Sequence, residues 1–341
     1  MKKLLTIVIP VYKVEQYINK CLDSLILSPE LMEKMDVLII NDGTPDNSAE
    51  LSREYVKNYP TVFRQIDKEN GGHGSVWNLG VKEAYGKYTR FLDSDDWLEN
   101  LDLLIDKLEN TDADLVITPT IDHCDNEMWK QEVLDMEFGM VYDADTFDWL
   151  GNRSHGNYIF HHSCTYKTEM FRQYLPLFLE KQPYDDVILG AVSIIGAKSL
   201  VAYDFPLYNY LMDRPGQSIS QEVVRKHIGA RIKTSQHTIQ FIEDHPVQKE
   251  SSKYTYFLNK IPKRYNFGYR TLVEDLSYTD ARKYVNEWDI WVRKTNSKVS
   301  TLFIKLYRIL PFFMYWSWYK LTSVVLKNKQ KKSIQRFTKV N

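Results

Sequence analysis

Residues 290–341 contain no aspartate or glutamate, although the whole chain is nearly balanced at a net charge of −1. Twelve Lys and Arg occupy that tail, from Arg293 and Lys294 to Arg336 and Lys339. A segment carrying one sign of charge is drawn to an anionic surface, and the rest of the chain is correspondingly acidic. Cysteine is also scarce. Cys21, Cys124 and Cys164 stand far apart, with neither metal-type pairing nor a disulfide framework, which fits a reducing compartment. Long apolar runs are missing as well. Within Leu302–Leu326 the longest uncharged stretch is 309–319, far short of the ~20 residues that span a bilayer. The opening MKKLLTIVIPVY is too short in its apolar run for a signal peptide, and Lys13 and Glu15 follow it with no small-residue cleavage site. It is expected to be a first buried strand, in a protein that is not exported. No internal repeat and no long linker interrupt the chain.

What is present points to a folded enzyme. At 341 residues, 43% hydrophobic and 26% charged, the chain has the length for one catalytic domain and a smaller helical extension. Residues 4–11 (LLTIVIPV) and 36–40 (DVLII) read as strands buried on both faces, with further strands at 62–67, 88–92 and 114–118. Helical spacing covers 14–27 and 47–59, the latter capped by Asp46, Asn47 or Ser48, and a third helix runs through Val76, Leu79 and Val81. Alternation of this kind predicts an α/β fold, a mostly parallel sheet flanked by helices. Ligands of such sheets bind beyond the carboxyl ends of the strands, and Asp42, the turn Gly71–Gly74, Asp93 and Asp95 all fall on that edge. Farther on, 158–166 is expected to be a strand, 185–198 a helix and 199–212 two short strands around Pro206. Residues 218–328 read as helical, with breaks near Pro246, Pro262 and Pro311.

Several clusters carry chemistry. Carboxylates crowded at a strand end, as in Asp93-Ser94-Asp95-Asp96, repel one another unless a cation neutralises them, and magnesium or manganese suits such oxygen ligands. The alternative is a cap for a helix near Trp97. Asp42 either accepts hydrogen bonds from a base or ribose, or belongs to a plain Asp-Gly turn. The Gly71-Gly72-His73-Gly74 turn brings backbone N–H groups close to a phosphate or sugar, and matches neither a Walker nor a dinucleotide pattern. His73 either contacts a ligand or rests on Trp77. Asp185 and Asp186 precede an apolar helix, as a general base or as a favourable first-turn charge. His161 and His162, placed in a strand, would point to opposite faces and not share one metal. Arg214 lies in a loop where it either clamps a diphosphate or is a solvated charge.

The segments TIVIPVYKVEQYINKCLDSL (6–25), VLIINDGTPDNS (37–48), ENGGHGSVWNLGVKEAYGKYTRFLDSDDW (69–97) and, more loosely, PLYNYLMDRPGQSIS (206–220) together resemble glycosyltransferase family 2, of the GT-A fold. The resemblance covers most of residues 1–100 and implies inverting transfer of a sugar from a nucleotide diphosphate sugar, most commonly a UDP-sugar. On that resemblance Asp42 would bind the base, and Pro10, Tyr12, Glu15, Gly72 and His73 would line the donor pocket. Asp95 and Asp93 would hold a divalent metal, manganese or magnesium, Asp95 directly and Asp93 indirectly or by way of the nucleotide ribose. Asp186, or Asp185 beside it, would be the base; the family's first position is usually Glu. Arg214 would close over the diphosphate. His73 replaces the small or hydrophobic residue usual at its position.

The expected organisation is a GT-A catalytic domain over 1–220, with the nucleotide-sugar half to about 120 and the acceptor half after it, then a helical extension over 221–341. Its aromatic stretch and polybasic end (Lys327, Lys329, Lys331, Lys332, Arg336) read as a helix lying on an anionic membrane. The alternative is a helix packed on the domain. No nucleic-acid-binding module accompanies the charge. The expected partners are therefore the donor, a saccharide acceptor sharing the membrane as a lipid-linked molecule, and the membrane itself, with a homo-oligomer open. The expected location is the cytoplasm, peripheral on the inner face of the cell membrane. Two other functions fit the sequence less well. A pyrophosphorylase lacks support because no basic glycine loop follows the first strand, and a non-catalytic sugar-nucleotide-binding partner sits poorly with the retained carboxylates.

Overall fold

The computed structural model describes residues 3–124, 127–131, 136–149, 161–183, 186–212, 223, 227–248, 251–257, 277–295 and 338–339. Six of the seven residues of Leu5–Val11 (β1) and all of Met35–Asn41 (β2) are buried. Strands apolar on both faces belong in the middle of a covered sheet, and these two pair in parallel from Leu5↔Met35 to Val11↔Asn41. Phe63–Asp67 (β3) extends the sheet beyond β2, and Tyr88–Phe91 (β4) lies on the other flank of β1, both parallel. The connecting helices are Ile18–Asp23 (α1), Pro29–Met32 (α2), Ser48–Asn58 (α3) and His73–Glu83 (α4). The helix expected over 14–27 is confined to α1. On either side of it the chain makes isolated turns, Tyr17 N to Val14 O and Leu25 N to Leu22 O.

Beyond β4 come Trp97–Leu98 (β5), Leu101–Glu109 (α5), Leu115–Ile117 (β6), Thr120–Cys124 (β7), Glu127–Gln131 (β8) and Val141–Asp143 (β9). Cys164–Lys167 (β10), Thr168–Arg172 (α6), Val187–Gly196 (α7), Ser199–Ala202 (β11) and Tyr208–Leu211 (β12) follow. The main sheet has eight strands in the order β3-β2-β1-β4-β10-β6-β11-β9. A second sheet, of five strands, includes Thr338–Lys339 (β13) in the order β13-β8-β7-β12-β5. This is the mixed α/β architecture the alternation predicts. The order places β1 and β4 at the centre, so residues after their carboxyl ends open onto the middle of the sheet edge.

The chain forms two compact units: 1–147 with 152–214 and 338–341, and 148–151 with 215–337. The second contains helices Ile228–Asp244 and Tyr278–Thr295, where Gly229 faces Tyr284. Among the described residues no helix is long and apolar enough to cross a membrane. Asp185, Arg214 and the aromatic and polybasic tail at 302–337 lie outside the described residues.

Helix α4 sits against β1 through Gly80. A methyl group there would stand 2.3 Å from Val8 Cγ1, and Val8 is a fully buried, β-branched side chain that is stiff about χ1. Gly80→Ala should therefore destabilise the fold by about 1–3 kcal/mol, as overpacking does, despite alanine's better helix propensity. Urea unfolding checks this. An unchanged or raised midpoint would mean that α4 is not seated this closely.

Candidate functional site

β2 ends at Asn41, and Asp42 follows it, only 3% exposed. Its Oδ1 accepts from Gly71 N (2.9 Å) and Lys68 Nζ (2.6 Å), and its Oδ2 from Gly72 N (2.8 Å). On the other side of the turn Lys181 N donates to Gly71 O. Gly72 has a φ of +80°, and a Cβ there would press on the Lys181 backbone at 3.1 Å. Asp42 therefore fastens the glycine turn. A carboxylate oxygen has two lone pairs, so Oδ2 retains one for a further donor. The register Val11↔Asn41 sets Pro10 and Tyr12 beside Asp42 at the same edge. Tyr12 is 44% exposed, whereas Glu15 is engaged, accepting from Asn47 N at the start of α3. Beside the glycine turn opens a cleft of about 620 Å³ whose walls include Lys68, Asn70, Ser75, Lys82 and Lys181; Asp93 is not part of it.

Asp93 follows β4 at the central edge of the sheet, about a quarter exposed. Three imidazoles surround its carboxylate. His73 Nε2 is 3.3 Å from Oδ1, and His161 and His162 Nε2 are 3.5 and 3.6 Å from Oδ2. Burial pushes this carboxyl up, but the three imidazoles outweigh it and hold it well below the usual carboxylate range. His73 faces this carboxylate, and its ring lies 4.0 Å from that of Trp77, the packing that the sequence offered as one of its two readings.

Of the strand expected over 158–166, residues 158–160 lie outside the described residues, and from His161 onward only residues 164–166 are extended, within β10. His161–Ser163 is a single 3-10 turn, and it places both histidine rings side by side, 3.8 Å apart. The expectation that they point to opposite faces is overturned, because period-two alternation does not apply to a turn. Arg90 imposes that turn. Fully buried on β4, its guanidinium donates to His162 O, to Cys164 O (3.1 Å) and to Thr165 Oγ1 (2.9 Å). Burial lowers its pKa to about 10, so it remains a cation at neutral pH. His162 is wedged between Tyr208 and Tyr210, each 4.6 Å away. Burial, and then His161, push His162 toward the neutral form, while Asp93 and Asp186 oppose this.

Asp95 lies in the turn after Asp93, half-buried. Asp96 is different. It is 1% exposed and accepts from Tyr208 Oη (2.6 Å) and Leu211 N (2.8 Å). Burial first, and then the charges of Asp95 and Asp93, raise its pKa well above normal. No helix starts at Trp97; β5 forms there and pairs with β12, so the capping reading of this cluster does not hold. Asp186 is the N-cap residue of α7, yet its side chain makes no capping hydrogen bond, and its charge is felt at His162. The sequence did not single out Arg90, Tyr208 or the joint approach of the two histidines to Asp93. The adjacency of His161 and His162 was the available signal.

A central parallel sheet edge bearing Asp42, a pinned glycine turn and an Asp-x-Asp motif defines the GT-A glycosyltransferase fold. The comparisons agree. A family model described as glycosyl transferase family 2 matches residues 6–175, and the chain belongs to that family through this segment. The uncharacterized glycosyltransferase EpsJ of Bacillus subtilis (strain 168) is 36% identical over 118 residues, 34% of this chain and 33% of that protein. The minor teichoic acid biosynthesis protein GgaB of the same organism is 34% identical over 119 residues, 33% of this chain and 13% of that protein. The chain thus spans a third or less of these curated relatives. In fold it is similar to S. aureus TarS 1-349, solved in complex with UDP, at a TM-score of 0.65 and 16% identity over 92% of this chain and 87% of that one.

Proposed function

We propose that this protein moves a sugar from a nucleotide diphosphate sugar, UDP-linked, to a hydroxyl of a saccharide acceptor, inverting the anomeric configuration. One observation carries the reading: two carboxylates meet around His162. Asp93 stands 3.6 Å from it on the donor edge, and Asp186, free of capping duty, reaches it electrostatically from the start of α7. The UDP complex of TarS supports the choice of base.

The side chains divide the work. Asp42 and the glycine turn position the nucleotide, with Pro10, Tyr12 and Glu15 beside it, and the positive end of α4 starts at His73 on the same edge. Asp95 and Asp93 would hold a divalent manganese or magnesium ion. The set fits a cation, since an ionised carboxylate at Asp93 lies against two buried imidazole nitrogens, 3.5 and 3.6 Å from its Oδ2. Such an ion supplies charge neutralisation for the diphosphate. Arg214 adds a second positive charge. Asp186, with Asp185 beside it, takes the proton of the acceptor hydroxyl. The hydroxyl oxygen then bonds to the anomeric carbon as the bond to the diphosphate breaks, and this single displacement inverts the centre. The teichoic acid role named for GgaB favours a cell-surface polymer as acceptor. The basic tail favours a lipid-linked form of it, met on the inner face of the membrane.

A thermal-shift series of nucleoside diphosphates and their sugars, each with and without manganese, tests this. Binding to the native state stabilises it by about 2.7 kcal/mol at a hundred times Kd. UDP or one UDP-sugar should raise Tm in the presence of manganese, and the other bases should not. No shift with any nucleotide at millimolar concentration would overturn the donor assignment.

A further inference from the structure

His161 is 6% exposed and His162 16%, and the Nε2 atom of each is sealed from solvent without a hydrogen bond among the described residues. A buried polar atom left unmatched costs about 1–3 kcal/mol, so two at one point call for a partner. Both nitrogens are aimed at Asp93 Oδ2, at 3.5 and 3.6 Å. That is beyond hydrogen-bond length. It is close to the separation of two ligand atoms around one ion, since atoms about 2.1 Å from a tetrahedral centre stand about 3.4 Å apart. The three ligand atoms all lie within 4.8 Å of one another.

The rings are also held in place. His161 meets the edge of Trp77, His162 sits between Tyr208 and Tyr210, and Arg90 ties the backbone of the turn through His162 O. His73 approaches the other oxygen, Oδ1, which leaves Oδ2 to the histidine pair. Ligands fixed in advance by packing are what a metal site requires.

We infer that Asp93, His161 and His162 form a mixed nitrogen–oxygen site for a divalent transition metal, and that it fills without nucleotide. The site shares Asp93 with the proposed donor site but does not depend on the transferase reading. Two imidazoles change its preference. Carboxylate-and-water sets suit magnesium, whereas imidazole suits the later first-row metals, and affinity rises from manganese to cobalt and nickel. Cobalt(II) should therefore bind well ahead of magnesium.

The test is calorimetric titration of the metal-stripped full chain with cobalt(II), manganese(II) and magnesium(II), nucleotide absent. One equivalent of cobalt should bind, at least about tenfold tighter than magnesium, and His161→Ala and His162→Ala should each weaken it by at least about tenfold. Circular dichroism checks that the variants are folded. Should either fail to fold, pulsed EPR of the manganese-loaded wild type decides, since two directly bound imidazoles give nitrogen hyperfine couplings. Wild-type protein that binds no metal without nucleotide, folded variants that bind cobalt like wild type, or manganese with no nitrogen coupling would each overturn the inference. A thermal shift by UDP would survive any of these results, so failure here is distinguishable from failure of the proposed function.

Discussion

Asp95→Asn should lower the rate of sugar transfer by roughly 10²–10³-fold, the scale seen when one element of transition-state electrostatics is removed. That equals about 3–4 kcal/mol of barrier. The substitution keeps the size and shape of the side chain and removes its charge. Asp95 is half-buried in the turn between β4 and β5, so the fold has little reason to fail. The measurement is the initial rate of nucleotide diphosphate release with the donor identified by thermal shift, together with the Tm of the variant. An unchanged rate in a folded variant would remove Asp95 from the machinery. Asp96 marks the contrast. Its oxygens are already given to Tyr208 and Leu211, so its loss should register as instability of β12 rather than as a defect confined to turnover.

Asp36→Ala should cost about 3 kcal/mol of stability and leave activity per folded molecule unchanged. Asp36 is 2% exposed at the start of β2, the end of the sheet away from the site. It accepts from Thr6 Oγ1 (2.8 Å), Arg64 Nε (2.6 Å) and Nη2 (3.0 Å), and Tyr85 N (3.2 Å). Removing one member of a buried pair leaves the other charge uncompensated, at about 3–5 kcal/mol. Arg64 keeps a bond to Glu83 O and is 24% exposed, which places the effect at the lower end. Urea unfolding followed by far-UV dichroism measures it. A loss below about 1 kcal/mol would mean that Arg64 finds water or another acceptor without strain. The expected effects of Asp36→Ala and Asp95→Asn thus fall on different measurements, one on unfolding and the other on rate.

The parts legible in the sequence are those set by local pattern. Continuous apolar runs identified β1 and β2, and the parallel sheet then placed Asp42 and Asp93 on one edge without any coordinates. The parts that were not legible depend on distant partners. The 161–163 turn has no glycine or proline to announce it; a guanidinium some seventy residues earlier bends it. Asp96 carries the same letter as Asp93 and Asp95, and its separate role needs Tyr208, 112 residues away. Trp97 and Leu98 extend because β12 offers them an edge, which overrides the cap signal of the preceding aspartates. Local motifs thus mark the region of the candidate site, while tertiary contacts set the surroundings of each carboxylate in it.

Tyr208 has a consequence of its own. Its hydroxyl donates to Asp96 and accepts from Asp93 N, so a single oxygen is bolted to both ends of the Asp93–Asp96 loop. It sits on the smaller sheet, whereas Asp93 hangs from the larger. The Tyr208 hydroxyl therefore ties the loop that follows β4 of the larger sheet to the smaller sheet at Asp93. In mechanical terms the Asp93–Asp96 loop is pinned to the neighbouring sheet, and the pin is a phenol.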